Sequence, residues 1–254
     1  LEDQDFFRYN GIFRDCYILQ RPQGHIGDVE IIPNDKTIRI RLDGCANVTI
    51  RAGEELLSRC AMDGEYEYAP EEPVLWNAEK PFLYTVELER NGEVIELKAG
   101  LRKIEVSEEY ALLINGVAVK LHGVNHHDTS AHRGWCQSDE ELRADLLLMK
   151  DLNMNCVRTS HYPPDPFFLE LCDHYGLYVV DEADIETHGI WDLGCEGGTI
   201  SHDLKWAPRY MDRVRRMYFR DRTHPSIIML SLGNESKGYK CHDKCYKMLK
   251  ELGT

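Results

Sequence analysis

Ser226-Ile-Ile-Met-Leu-Ser-Leu-Gly-Asn-Glu235 is the stretch whose reading decides the fold. Its apolar run has the length of a strand and little polar alternation, the pattern of a strand covered on both faces, as in a parallel sheet. Gly233 follows, where the backbone can approach a neighbour closely, and then an amide and a carboxylate stand side by side as Asn234 and Glu235. In a barrel of parallel strands, chemistry sits at the carboxyl ends of the strands. Glu235 is therefore the first candidate for a catalytic acid/base, with Asn234 beside it as an orienting hydrogen-bond group. The competing reading is a helix cap, since Asn can also open a helix.

The same grammar extends upstream. A basic segment from about Arg209 to Arg222, stopped by His224-Pro225, reads as a helix. Leu177-Tyr-Val-Val180 is a strand ending in Asp181-Glu182, and Cys156-Val-Arg-Thr-Ser160 is a shorter one. Between them Asp165-Pro166 opens a helix that Gly176 closes. Ser138-Asp-Glu-Glu141 is a capping box, and Leu142, Leu146 and Met149 form the buried face of its helix. Before it, Leu112 to Val119 is a hairpin about Asn115-Gly116 whose second strand is expected to continue to His122. Downstream, Lys244 to Leu252 begins another helix. Such alternation means parallel strands joined by right-handed crossovers. Four units are present where a (β/α)8 barrel needs eight in ~250 residues. Residues 101–254 are expected to be an open sheet or the N-terminal half of a TIM barrel, the latter leaving an unpaired edge.

From about His25 to Gly100 the period is two: Thr37-Ile-Arg-Ile-Arg-Leu42, Val48-Thr-Ile-Arg51, Leu83 to Glu89 and Val94 to Lys98 alternate between apolar and polar. Pro33-Asn34, Asp43-Gly44, Asp63-Gly64 and Asn91-Gly92 are expected as the turns, the last a tight hairpin. Residues 24–100 thus read as an all-β, immunoglobulin-like sandwich. Residues 1–23, with Phe6, Phe7, Tyr9, Ile12 and Phe13, read as the tail of an upstream β-sandwich. Trp76 is expected to anchor a core or a domain junction.

Composition excludes several partners. With 43% hydrophobic and 29% charged residues the chain is of ordinary globular type, and no run approaches the ~20 apolar residues of a membrane span. A net charge of −14 argues against nucleic acid but would not hinder a neutral sugar. The acidic start, without an initiator Met or a signal peptide, suggests a piece of something longer. Nine scattered cysteines suggest a reducing, cytoplasmic setting, with Cys241 and Cys245 a helical pair of free thiols rather than half a metal knuckle.

The functional case rests on the strand ends, which carry Asn125-His126-His127-Asp128, Arg158 with His161-Tyr162, Asp181-Glu182 followed by Asp184, Glu186 and His188, and Asn234-Glu235. Glycoside hydrolysis would use two carboxyls from such a set. Metal-dependent hydrolysis would use His126, His127, His161 and His188. Adjacent strand residues face opposite ways, so His126 and His127 cannot both enter one site, which leaves zinc a minor alternative. Glu186, His188 and Glu235 could still hold a Mg²⁺.

At these residues the chain resembles glycoside hydrolase family 2, in its bacterial β-galactosidase branch. Asn155-Cys-Val-Arg-Thr-Ser-His-Tyr-Pro163 with Cys172-Asp-His-Tyr-Gly-Leu-Tyr-Val-Val-Asp-Glu182 is similar to the family's long signature. Ala183-Asp-Ile-Glu-Thr-His-Gly189 is similar to its magnesium loop, and Asp221-Arg-Thr-His-Pro-Ser226 through Glu235 to its second signature. Glu2 to Asp5, Gly11 to Asp15 and Trp76-Asn-Ala-Glu-Lys-Pro81 fit the preceding domains.

The resemblance implies a retaining exo-β-galactosidase acting on terminal β-galactosides, with Glu235 as acid/base and Asn234 on the sugar 2-hydroxyl. Glu186, His188 and Glu235 would hold Mg²⁺. His127, His161 and Arg158 would line the sugar pocket, and Asp5 would serve a Na⁺ and sugar site. It also implies a nucleophilic Glu beyond residue 254, in the missing C-terminal half of the barrel, and a homo-oligomer at full length. The chain alone is accordingly expected to be inactive. A β-glucuronidase-like enzyme and a non-catalytic carbohydrate-binding remnant are the alternatives. Asp184, where the family usually has Asn, and His126, where it has Arg, are departures that remove no named role.

Overall fold

The computed structural model describes residues 11–188, 199–236 and 239–253. Strands β1 (Val29–Pro33), β2 (Ile38–Ala52), β3 (Glu55–Tyr68), β4 (Tyr84–Arg90) and β5 (Glu93–Ala99) form one antiparallel sheet. Asp43-Gly44 and Asp63-Gly64 are not turns. They lie opposite one another inside β2 and β3, where the ladder shifts register between Arg41 and Cys45. Pairing resumes on both sides, Arg41 with Glu65 and Cys45 with Asp63, so the chain bends without reversing. Gly44 and Gly64 supply the left-handed backbone (φ 72° and 71°) that the bend requires. The Arg90 guanidinium satisfies the carbonyls of Asp43 and Cys45 at the kink. Below the bend β2 pairs with β1, and above it with β4. The real reversal lies at Gly53, between β2 and β3. Alternate residues Ile38, Ile40, Leu42, Val48, Ile50, Val86 and Leu88 enter a single core.

A short sheet of β6 (Ile104–Val106), β7 (Leu112–Ile114) and β8 (Val117–Ala118) follows. The hairpin turns at Asn115-Gly116 as expected, but its second strand stops at Ala118 rather than His122. The Asn155 amide bridges Lys120 O (3.0 Å) and His122 N (2.8 Å), which turns the chain into the next sheet.

That sheet alternates strand and helix: β9 (Gly123–His126), α1 (Asp139–Asp151), β10 (Cys156–Thr159), α2 (Pro166–Tyr175), β11 (Tyr178–Glu182), α3 (Thr199–His202), α4 (Ala207–Asp221), β12 (Ile227–Ser231) and α5 (Lys240–Glu251). Its four strands are parallel and lie side by side in chain order. A doubly wound sheet would reverse direction partway; winding in one direction is the pattern of a barrel segment. Ser138 and Glu141 cap α1 reciprocally, Asp165 caps α2, and Gly176 closes it at φ 77°. Helix α5 begins before Lys244, at Lys240, because Cys241 and Cys245 sit one turn apart on its buried face.

Trp76 packs against the parallel sheet, on Tyr178 and Ile228. It is fully buried, and its Nε1 donates to Asp173 O at 2.9 Å. The Asp173 carboxylate accepts from Ser226 N (2.9 Å) and contacts His224 Nδ1 (2.6 Å), tying α2 to the entry of β12. Gly100 passes so close to Pro225 that a Cβ would sit 2.6 Å from the proline ring. Among the described residues no cysteine is disulfide-bonded and no helix is long and apolar enough to cross a membrane.

Candidate active site

A single buried carboxylate organises the mouth of the parallel sheet. Glu182 ends β11 with no exposure, and its oxygens face four donor groups. Arg158 of β10 donates to it through Nε (2.7 Å) and Nη2 (2.9 Å), a two-pronged match of guanidinium and carboxylate. His161 Nδ1 lies 2.7 Å from the same carboxylate, and Ser231 Oγ of β12 donates at 2.6 Å. The Glu182 backbone N–H donates to Thr159 Oγ1 at 3.0 Å. Three neighbouring strands are thereby locked in register at their carboxyl ends.

From this hub the network runs toward Glu235. Arg158 Nη2 also donates to Asn234 Oδ1 (2.8 Å), and Asn234 Nδ2 donates to Glu186 Oε2 (2.9 Å). Asn234 is therefore oriented from both ends of its amide. Backbone pairing supports it: Asn234 N donates to Ile185 O at 2.9 Å, within a parallel bridge between Glu186 and Asn234. Gly233 makes that approach possible, since a Cβ there would stand 2.6 Å from Ile185 O and its φ is 126°.

Beyond Asn234 the three expected metal-ligating residues meet. His188 Nδ1 is 3.0 Å from Glu186 Oε1 and 3.2 Å from Glu235 Oε2. One donor atom from each of Glu186, His188 and Glu235 lies within 4.8 Å of the others, a set that could hold one cation. Glu186 is almost sealed, whereas the Glu235 side chain is 47% exposed and so open to an incoming ligand. Glu235 adopts a positive φ of 31°, uncommon for a side-chain-bearing residue and frequent at functional sites.

His127 joins the mouth from β9's end, its ring 5.3 Å edge-on to His161 and 6.0 Å from Tyr162. Trp135 packs on Tyr162 at 5.7 Å and on Phe13 at 5.0 Å. Arg14 pairs with Asp128 (2.9 Å) and Asp165 (3.4 Å), so the N-terminal arm is pinned to this rim.

His126 faces the helices, as strand alternation requires. It stacks on Phe168 (4.6 Å, 4°) and reaches Asp145 at 3.0 Å and Asp128 at 3.5 Å. Burial alone would lower its pKa, but the nearby Asp128 and Asp145 carboxylates outweigh it and raise the imidazole to about 9. Asp184 turns away from the metal-ligating group to pair with Arg213 of α4, which neutralises it. Asp5 lies outside the described residues. The sequence marks Glu182 only as a strand end and gives Ser231 no role, yet these two residues tie the mouth together. A carboxylate closing a strand buried on both faces was the available signal, because such a charge demands partners.

A one-way parallel sheet with carboxylates, an amide and histidines gathered at its carboxyl ends is the architecture of a barrel hydrolase. Residues 104–254 match the family model for glycosyl hydrolases family 2, TIM barrel domain, and the chain belongs to that family. It is 38% identical to a β-galactosidase of Pectobacterium atrosepticum and 37% identical to one of Alteromonas mediterranea, over 98% and 99% of its length. It spans only 27% of each of those relatives. Among solved structures it is similar to Faecalibacterium prausnitzii β-glucuronidase, with a TM-score of 0.77 and 27% identity, over 90% of this chain and 39% of that one. The fold is shared with the β-D-glucuronidase of Dictyoglomus thermophilum, with a TM-score of 0.72 at 24% identity, over 89% of this chain and 41% of that one.

Proposed function

We propose that this chain carries the acid/base side of the active site of a retaining exo-β-galactosidase. The carrying observation is the meeting of Glu235 with Glu186, His188 and Asn234 in one hydrogen-bonded group at the strand ends. Glu235 protonates the glycosidic oxygen as it leaves and then takes a proton from the incoming water. Asn234, fixed by Arg158 and Glu186, presents its amide to the sugar 2-hydroxyl. His127 and His161 bind galactosyl hydroxyls, and Arg158 forms part of the pocket floor. The second carboxyl, the nucleophile, comes from the part of the full-length enzyme outside this chain, so the chain alone does not turn over substrate.

Mg²⁺ suits the donor set, since two carboxylates and one imidazole within 4.8 Å leave positions for water. When bound, the ion supplies positive charge beside the acid/base carboxyl. Asp5 is proposed to serve a Na⁺ and sugar site. Residues 1–23 are read as the tail of an upstream β-sandwich, 24–100 as an immunoglobulin-like sandwich and 101–254 as the N-terminal half of the barrel. Both halves of the kinked β2–β3 hairpin contribute to one core, which supports the sandwich. The full-length enzyme is proposed to be a cytoplasmic homo-oligomer.

A β-glucuronidase is the second reading, favoured by the likeness to the Faecalibacterium prausnitzii structure. A panel of aryl β-glycosides on the full-length enzyme separates the two. Galactoside hydrolysis lost in Glu235→Gln is expected, and preference for the glucuronide overturns the galactosidase reading. Hydrolysis by the 254-residue chain, abolished by Glu235→Gln, would overturn the assignment of the nucleophile to another region.

A further inference from the structure

Glu182 has no exposed surface and so cannot itself touch a sugar, but it stands two hydrogen bonds behind Asn234. The link is Arg158. Its Nε donates to Glu182 Oε2 (2.7 Å) and its Nη2 to Oε1 (2.9 Å), so one carboxylate holds both ends of a guanidinium edge. A planar group held at two points keeps its plane. The second hydrogen on Nη2 then falls to Asn234 Oδ1, at 2.8 Å. Glu182 is held in its turn. Ser231 Oγ donates to Oε2 at 2.6 Å, and the Glu182 backbone N–H is tied to Thr159 Oγ1 at 3.0 Å.

The chemistry of these partners settles which way the Asn234 amide faces. A guanidinium only donates, so the amide oxygen must face Arg158. A carboxylate only accepts, so the NH₂ must face Glu186, at 2.9 Å. One Nδ2 hydrogen goes to Glu186, and the other is the donor that can serve a ligand. Glu186 alone would hold one end of the amide and let the rest swing about it; Arg158 holds the other end. We propose that Glu182 is a positioning residue for recognition of the sugar 2-hydroxyl, acting through Arg158 to keep an Asn234 N–H aimed at the 2-oxygen. The inference rests on the role given to Asn234 above and extends it to a carboxylate that never meets the substrate. Hydrogen bonds to the 2-hydroxyl strengthen as the oxocarbenium-like transition state forms. A loosened amide therefore lowers kcat/KM more for sugars that carry this hydroxyl than for sugars that lack it.

The test compares an aryl β-galactoside with its 2-deoxy analogue on the full-length enzyme, as the ratio of the two kcat/KM values. The parent enzyme is expected to favour the hydroxylated sugar. In Glu182→Gln the new NH₂, whichever way the amide sits, opposes one of the two Arg158 donors, and the ratio is expected to fall at least about five-fold. Should that variant fail to fold, Glu182→Asp carries the test, because it keeps the charge but withdraws the carboxylate from Arg158 by one methylene. The same direction of change is expected. A purely structural role would slow both sugars alike, so an unchanged ratio in a folded variant overturns the inference. A parent enzyme indifferent to the 2-hydroxyl would instead remove the role of Asn234, and the inference with it.

Discussion

Replacing Glu182 by Gln keeps the side chain's shape and removes its charge. The carboxylate now faces two Arg158 N–H groups, His161 Nδ1 and Ser231 Oγ, all within 2.9 Å. An amide offers one oxygen and one NH₂, so at least one of these donors is left opposite another donor. Breaking a buried ion pair on one side costs about 3–5 kcal/mol. The Arg158 side chain is 31% exposed, so water recovers part of the loss, and about 2–3 kcal/mol is expected. For a chain of this size that lowers Tm by about 4–12 °C. Urea unfolding of the 254-residue chain, followed by circular dichroism, measures the change in midpoint. Glu96→Gln serves as the control, because its pair with Lys98 lies on the surface and its loss should leave Tm unchanged. A Glu182→Gln loss below about 0.5 kcal/mol would refute the role of this carboxylate as the element that locks the strand ends.

Three further outcomes follow from the same geometry. Gly233→Ala forces a Cβ to within 2.6 Å of Ile185 O at a φ of 126°, and should cost about 2 kcal/mol or more and weaken Mn²⁺ binding, read by electron paramagnetic resonance. Glu186→Gln should reduce Mn²⁺ affinity at least about ten-fold with little loss of stability, and unchanged affinity would remove Glu186 from the ligand set. His126 titrates at about 9 when folded against ~6.5 unfolded, so its contribution is full below about pH 6.5 and fades as pH rises through 9. The stability gap between the parent chain and His126→Gln should therefore be about 2–3 kcal/mol near pH 6 and close by pH 10, whereas a pH-independent gap would count against the paired imidazolium.

Where local chemistry decides the outcome, the sequence was enough. The Ser138–Glu141 capping box, the Asp165 cap, the Gly176 stop and the Asn91-Gly92 and Asn115-Gly116 hairpins depend on neighbours a few residues apart, and each stands where it was read. Glu186, His188 and Glu235 could be named together through the family motifs, and they meet in space. Asp43-Gly44 and Asp63-Gly64 could not be read correctly alone. A turn and a bulge share the same glycine-bearing dipeptide, and only the facing strand selects the bulge. Asp184 is similar: it stands two positions before Glu186 in sequence, but its charge is paired with Arg213, 29 positions on.

The sequence by itself determined the period of each segment, the caps and stops, and which residue types could do chemistry, because these rest on intrinsic backbone preferences and side-chain reactivity. Only the tertiary structure decided that the four strands lie in chain order and that Glu182 joins β10, β11 and β12. Those features arise when distant segments exclude water together, and the demand a buried charge makes on its neighbours appears only once they are in place.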